Sequence, residues 1–238
     1  MNYMREIPKI IHQIWSGIYE PLPNHFRKFS DTWREYHPEW AYELWDHHRM
    51  NNFVCDNYPQ YWDTYQSFQF NIQRWDVVRY LILNKIGGMY VDFDYECLQP
   101  HDSLINGKTC CFSMEPEKHH FRFNKTVLFN NALMACIPDH PFMKKIIETV
   151  FCYVPRTGIL STDQHFLEVL ATTGPLALTE IYEKYPDKEQ VFLIPAQQVS
   201  PFDIPQLRLI RNGYESEELD CKLEGAFSVH YFFSEWIK

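Results

Sequence analysis

Asp92 and Asp94 stand two residues apart in the run MYVDFDYE, and on an extended strand side chains at that spacing point to one side. Two neighbouring carboxylates repel unless a cation lies between or near them, and a hard divalent ion such as Mg²⁺ or Mn²⁺ is the usual partner for paired oxygen ligands. A cation so held is placed to sit against a diphosphate. The plain alternative is a solvated acidic strand face, because so short a motif recurs by chance. A second polar set precedes the pair: Gln73, Asp76 and Arg79 fall three residues apart and share one helical face. On an exposed face Asp76 and Arg79 would be no more than a weak ion pair.

These residues need elements to hold them. Asn71 to Lys85 carries Ile72, Trp75, Val78 and Ile82 at helical spacing behind the cap-type residue Asn71, which predicts a buried amphipathic helix. Gly87 and Gly88 supply the positive-φ positions that end it. Met89 to Tyr95 then alternates Met89, Val91, Phe93 and Tyr95 against Tyr90, Asp92 and Asp94, which predicts one strand with both carboxylates on one side. The pair falls at the end of an apolar strand, where ligands sit in open α/β sheets.

Upstream, Ile7 to Trp15 predicts a buried first strand that emerges at Trp15. Phe26, Phe29, Trp33 and Tyr36 predict a helix stopped at His37-Pro38, and Trp40 to Trp45 a second strand. His47 and His48 are adjacent, with no HxxxH spacing around them, and read as surface residues. Downstream, strands are expected at Thr109 to Met114, within Asn124 to Cys136 and near Val191 to Pro195. Helices are expected at Phe142 to Phe151, Ser161 to Thr173 and Leu176 to Tyr185. Gln197 to Glu224 reads as a polar loop and Ala226 to Phe233 as a final strand.

A chain of 238 residues suffices for one large α/β domain. Aromatic residues make up 17% of it, including seven Trp, enough for a core of large rings and for a cleft that stacks bases or sugars. A net charge of -9 argues against a nucleic acid polymer as partner. A single nucleotide remains open, through a metal and a few basic side chains. Seven cysteines without a CxxC pair read as reduced thiols of a cytosolic protein. No apolar run approaches the roughly 20 residues that span a bilayer, and no signal-peptide core is visible. The expectation is a cytoplasmic chain with at most peripheral membrane contact at the inner face of the plasma membrane.

Three blocks, IPKIIHQIW at 7–15, RWDVVRYLILNKIGGMYVDFD at 74–94 and HYFFSEW at 230–236, together resemble the DXD-containing sugar transferases related to the yeast initiating α-1,6-mannosyltransferase, glycosyltransferase family 32. More distantly they are similar to the glucosylating domains of clostridial toxins. The resemblance implies a GT-A fold: a Rossmann-like nucleotide-binding mixed sheet flanked by helices in a single domain, with the nucleotide-sugar part at about 1–115 and the acceptor-side part at about 116–238. It implies metal-dependent, retaining transfer of a hexose from a UDP- or GDP-sugar to a glycan or lipid-linked oligosaccharide, in capsular or cell-surface polysaccharide synthesis.

By the same resemblance Trp15 stacks on the donor base, the alternative being a core ring. Asp92 contacts ribose and sugar, and Asp94 ligates the Mn²⁺ or Mg²⁺ together with Asp92 and Ser234. Asp76 and Arg79 bind the sugar hydroxyls, Asn131 lies near the sugar, and Thr173-Gly174-Pro175 turns beside the acceptor cleft. His230, Ser234 and Trp236 close over the leaving diphosphate, the alternative at this end being a frayed terminus with an aromatic anchor. No nucleophile or general base is legible, and retention through a short-lived ion pair would let the leaving phosphate take the acceptor's proton. Two rivals stand beside this reading. A haloacid dehalogenase-type phosphatase would use Asp92 as nucleophile, although Glu96 stands where such enzymes usually have Thr or Val. A sugar-nucleotide-binding protein would use the same cleft without chemistry.

Overall fold

The computed structural model describes residues 6–152 and 161–233. In chain order its elements are β1 (Ile10–Ile14), α1 (Asn24–Tyr36), β2 (Ala41–Trp45), α2 (His47–Asn57), α3 (Trp62–Ser67), α4 (Asn71–Lys85), β3 (Gly88–Val91), β4 (Tyr95–Cys97), α5 (Asp102–Ile105), β5 (Cys110–Met114), α6 (Glu117–Arg122), β6 (Phe129–Cys136), α7 (Pro141–Val150), α8 (Thr162–Thr172), α9 (Pro175–Lys184), β7 (Phe192–Ile194), α10 (Ala196–Val199), α11 (Ile204–Arg211), α12 (Glu217–Leu223) and β8 (Ser228–His230). Six strands form one sheet in the order β2-β1-β3-β6-β5-β7, and β4 pairs with β8 in a separate two-stranded sheet. β1 runs parallel to β2 and β3, β7 runs parallel to β5, and β6 is antiparallel to both β3 and β5. This is the expected mixed α/β sheet flanked by helices.

Alternation along the strands feeds two apolar layers. Tyr90, Phe112 and Met134 join Val78, Leu81 and Ile82 of α4 and Phe142, Met143 and Ile146 of α7. Met89, Val91 and Leu133 turn the other way, onto Trp33 of α1, Leu104 and Ile105 of α5 and Val199 of α10. The sheet thus separates two cores, and α4 lies inside one of them.

That position corrects the amphipathic reading of α4. Gln73, Asp76, Arg79 and Asn84 are buried along with Val77, Val78 and Leu81, because the sheet, α7 and α8 cover the helix from different sides. Its polar residues are interior groups that need partners. Asn71 is the first helical residue rather than the cap; the Phe70 N–H is answered by Gln73 Oε1 at 3.1 Å.

The Gly-Gly break works as expected, with φ of +74° at Gly87 and +102° at Gly88. The buried His12 of β1 locks it: one ring nitrogen lies 2.9 Å from the Gly87 carbonyl, and the other accepts from Trp45 Nε1 at 3.2 Å. Burial pushes the His12 imidazole down to about 4, so it stays neutral.

The single strand expected over Met89 to Tyr95 is in fact two. β3 pairs with β6 as far as Val91, Asp92 donates its N–H to the Ala132 carbonyl at 2.7 Å, and the chain then turns, with Tyr95 N–H returning to the Asp92 carbonyl at 3.2 Å. It leaves the central sheet for the small one at the Asp-Phe-Asp step, so pairing with two different strands breaks the alternation. Two further corrections concern the last third. The polar loop expected over Gln197 to Glu224 holds α10, α11 and α12, the longer two started by Asp203 and Ser216 side chains that accept from backbone N–H groups. The final strand is limited to Ser228–His230.

Candidate active site

Asp76 sits on α4 with Arg79 one turn later, and their side chains meet at 3.1 Å, each only 5% exposed. Asp76 Oδ1 also accepts from Asn131 Nδ2 at 2.9 Å, and Oδ2 accepts from Thr173 Oγ1 at 2.8 Å. Burial pushes the Asp76 carboxyl up to about 6, against the pull of Arg79 and of these hydrogen bonds. Arg79 reaches further, donating Nη1 to the Asn131 carbonyl at 2.8 Å and lying 3.4 Å from Asp92 Oδ1. Its guanidinium stacks over the Tyr90 ring at 4.7 Å. Burial alone would favour losing its proton, but Asp92, Tyr90 and Asp76 hold it firmly charged. One cation therefore ties the helix to the end of β3 and to β6.

Tyr90 and Asp92 share a strand face, and the Tyr90 hydroxyl donates to Asp92 Oδ1 at 2.5 Å. Burial raises the Asp92 carboxyl above the usual range, with Arg79 opposing and the neighbouring charge of Asp94 adding to the rise. Asp94 behaves oppositely. Burial would raise it, but His230 Nε2 at 3.3 Å and the Phe233 N–H, donated to Oδ2 at 3.0 Å, outweigh that and hold it low. His230 is raised in turn, the attraction of Asp94 overcoming burial.

These donor groups fit a divalent metal ion. Both carboxylates supply hard oxygen ligands, and each keeps lone pairs beyond those used by its protein partners. Away from this pair, two His and Cys groups, His37 with Cys97 and His101, and Cys110 with Cys136 and His140, lie close enough to share an ion. Their ring nitrogens are already engaged: His37 Nε2 accepts from the His101 N–H at 2.9 Å, His101 Nδ1 faces the Gln99 carbonyl at 3.1 Å, and His140 Nδ1 accepts from the Phe142 N–H at 3.2 Å. They are core hydrogen-bond knots.

Asp76, Arg79, Asp92, Asp94, Asn131 and His230 all border one cleft of about 580 Å³, and Trp15 borders it too. Trp15 is half-buried and meets Phe26 and Phe93 edge-on at 5.6 and 5.9 Å between centroids. Ser234 and Trp236 lie outside the described residues. His47 and His48 are exposed on α2, each beside an Asn one turn on, remote in role from the cleft. The cleft also contains residues that spacing did not single out, chiefly Glu115 and His119, with Asn130 behind them. The available signal was the adjacent pair Asn130-Asn131, since consecutive strand residues face opposite ways and both amides here find buried carboxylates.

The sequence profile described as "Glycosyltransferase sugar-binding region containing DXD motif" matches residues 23–111. Inositol phosphoceramide mannosyltransferase 2 of Schizosaccharomyces pombe is 32% identical over 179 residues, covering 75% of this chain and 47% of that protein. The initiation-specific alpha-1,6-mannosyltransferase of Candida albicans is 30% identical over 107 residues, covering 43% of this chain and 28% of that one. The chain spans about half the length of the inositol phosphoceramide mannosyltransferases it matches. Among solved structures, the PaToxG glycosyltransferase superposes with a TM-score of 0.51 at 18% identity, covering 77% of this chain and 73% of that one, a likeness of fold. Among the described residues no helix is long and apolar enough to cross a membrane, and all seven cysteines are free.

Proposed function

We propose, on the match of residues 23–111 to the DXD-containing glycosyltransferase sugar-binding region, that this chain transfers a hexose, mannose first among candidates, from a nucleoside diphosphate sugar to a glycan or lipid-linked glycan acceptor. The observation that carries the reading is the buried arrangement in which Arg79 links Asp76 to Asp92 at the cleft while Asp94 stands two residues on, paired with His230. Such a set has a use for each part of the donor: a carboxylate and a guanidinium for sugar hydroxyls, paired carboxylates for a metal, and an imidazolium for phosphate oxygens.

In this reading Trp15 holds the base, Asp76 and Arg79 hold the sugar hydroxyls with Asn131 keeping the Asp76 carboxylate oriented, and His230 faces the diphosphate. Asp92 and Asp94, joined by Ser234, would hold Mn²⁺ or Mg²⁺. Bound there, the ion would neutralise charge building on the departing diphosphate. Transfer with retention is the expectation carried by the family resemblance. Relatives named for inositol phosphoceramide make a phosphoinositol lipid headgroup the first acceptor to test, ahead of a capsular glycan, and such an acceptor would bring the chain to a membrane surface.

The deciding experiment is a thermal-shift panel of GDP, UDP and their common sugars, GDP-mannose foremost, each with Mn²⁺, Mg²⁺ or EDTA. A ligand at 100 times its Kd adds about 2.7 kcal/mol of stability. A rise with one nucleotide family, lost in EDTA, supports the reading and identifies the donor base. No response to any nucleotide in any metal would end it.

A further inference from the structure

Glycosyl transfer to a hydroxyl releases a proton from the attacking oxygen. On the β5–α6 side of the cleft, the structure holds a carboxylate and an imidazole fixed in a way that suits receiving it. Glu115 Oε1 accepts from Asn130 Nδ2 at 2.8 Å. Asn130 is fixed in that orientation, because its own Oδ1 accepts from the Ala132 N–H at 3.0 Å and from Ser113 Oγ at 2.5 Å. Glu115 Oε2 lies 2.7 Å from His119 Nδ1. Burial pushes the Glu115 carboxyl up, but the His119 bond, the charges of His230 and His119 and the Asn130 bond outweigh it and hold it below the usual range. An ionised carboxylate only accepts, so Nδ1 is the nitrogen carrying hydrogen, and a neutral ring then keeps its lone pair on Nε2.

That Nε2 is buried and has no hydrogen-bond partner among the described residues. Folded proteins rarely leave such an atom unpaired without a reason. The Phe232 ring lies edge-on against His119 at 5.0 Å between centroids and also rests on His230 at 3.8 Å. Phe232 has φ +50°, left-handed backbone that a bulky side chain seldom adopts and that collects at functional sites. His119 and Phe232 both line the cleft.

We propose that His119, oriented by Glu115, takes the proton of the acceptor hydroxyl, with the Phe232 ring packed edge-on beside it. The proposal rests on the transferase reading. The bond from the anomeric carbon to the diphosphate oxygen breaks, its electron pair leaving on the phosphate; within that short-lived ion pair the acceptor oxygen bonds the carbon on the same face while its O–H bond breaks and the proton passes to Nε2. Glu115 stabilises the imidazolium, which then returns its proton to water. His119 is the catalytic residue here and Glu115 a positioning residue.

Glu115→Gln separates the two roles. It keeps an oxygen for Asn130 but turns an amide NH₂ toward His119, so Nδ1 becomes an acceptor and Nε2 carries the hydrogen; His119→Gln removes the base outright. With saturating donor and acceptor each variant is expected to lower kcat about 10²- to 10⁴-fold, with the donor Kd from calorimetry and the melting temperature close to wild type. Long-range ¹H–¹⁵N spectra of histidine-labelled protein should place the His119 hydrogen on Nδ1 in wild type and on Nε2 in Glu115→Gln. Values of kcat within about threefold of wild type in both variants would overturn the proposal and return the proton to the leaving phosphate. So would wild-type His119 carrying hydrogen on Nε2, or a loss of kcat matched by loss of donor binding. Wild-type protein that binds no nucleotide sugar would instead sink the transferase reading, while the nitrogen spectrum would still report on the Glu115–His119 geometry.

Discussion

Thr173 and Asp76 lie 97 positions apart in the chain, and Thr173 Oγ1 donates to Asp76 Oδ2 at 2.8 Å. With Asn131 on the other oxygen, this bond lets the turn after α8 and the β6 strand converge on one α4 carboxylate inside the core. Asp76 is therefore held by hydrogen bonds yet raised by burial, and its titration reports on the site.

From the ordinary value of 3.8 the folded carboxyl rises to about 6. Between those values the folded chain keeps a proton that the unfolded chain has released. The resulting stability is complete below about 3.8 and is lost as pH rises through about 6, at most about 3 kcal/mol at 1.36 per unit. Urea unfolding from pH 4 to 7.5 should show wild type losing stability relative to Asp76→Asn across this window. Parallel curves would mean Asp76 titrates normally. Donor binding through the ionised form runs the other way, strengthening as pH rises through about 6.

Arg79→Met leaves Asp76 and Asp92 buried without their shared cation. Breaking a buried pair in this way costs about 3–5 kcal/mol, readable as a lower urea midpoint. Arg79→Lys keeps a charge but cannot reach Asp76, Asp92 and the Asn131 carbonyl together. It should stay folded and bind donor about tenfold or more weakly by calorimetry. Unchanged donor affinity in the Lys variant would remove Arg79 from the sugar site.

Asp94→Asn halves the charge available to a metal while leaving an oxygen for the Phe233 N–H. The melting point of wild type with nucleotide should rise on adding Mn²⁺, and that increment should vanish in Asp94→Asn. An increment of equal size in both proteins would place the metal elsewhere.

Trp15→Ala removes the indole from the cleft wall at the end of β1. If the base stacks there, donor affinity falls by roughly 1–3 kcal/mol, with the sugar-free nucleotide losing as much as the full donor. A loss seen only with the intact sugar nucleotide would assign Trp15 to the sugar instead.

Gly88→Ala is expected to damage the fold ahead of the site. A Cβ there would sit 2.6 Å from the Ile10 carbonyl oxygen, at a φ of +102°. Overpacking of about 1–3 kcal/mol adds to left-handed strain of about 1–2. Gly213→Ala, with open space around it and φ +79°, carries only the backbone strain and is the control. Equal melting-point losses for the two would show that β1 yields to the added carbon.

Much of the architecture was open to reading because it follows from short-range chemistry. Helical spacing ahead of Gly87-Gly88 gives α4, alternating apolar residues give β3, and Ser161 caps α8 through its own side chain. The DXD pair, Asp76 and Arg79 could be chosen because each sits at a fixed offset from a break in pattern. The readings that failed share a cause. Whether the polar residues of α4 are covered as fully as its apolar ones, and whether Tyr95 continues β3 or starts β4, depends on which distant segments cover or pair with them. That α8 packs against α4, and that β8 pairs with β4, is not visible from the local spacing.

The same distinction holds at the site. Residue types and spacing along the chain determined that a carboxylate pair and an aromatic ring would stand at strand ends of an α/β sheet, with an arginine on the helix before the pair. Only the tertiary structure decided that Asp76 is buried enough to titrate near 6, that Asp94 is paired with His230, and that Glu115 and His119 join the cleft with one imidazole nitrogen unpaired. Spacing fixes which neighbours a side chain has within a turn or a strand; its protonation and reach depend on desolvation and on partners brought together from across the chain.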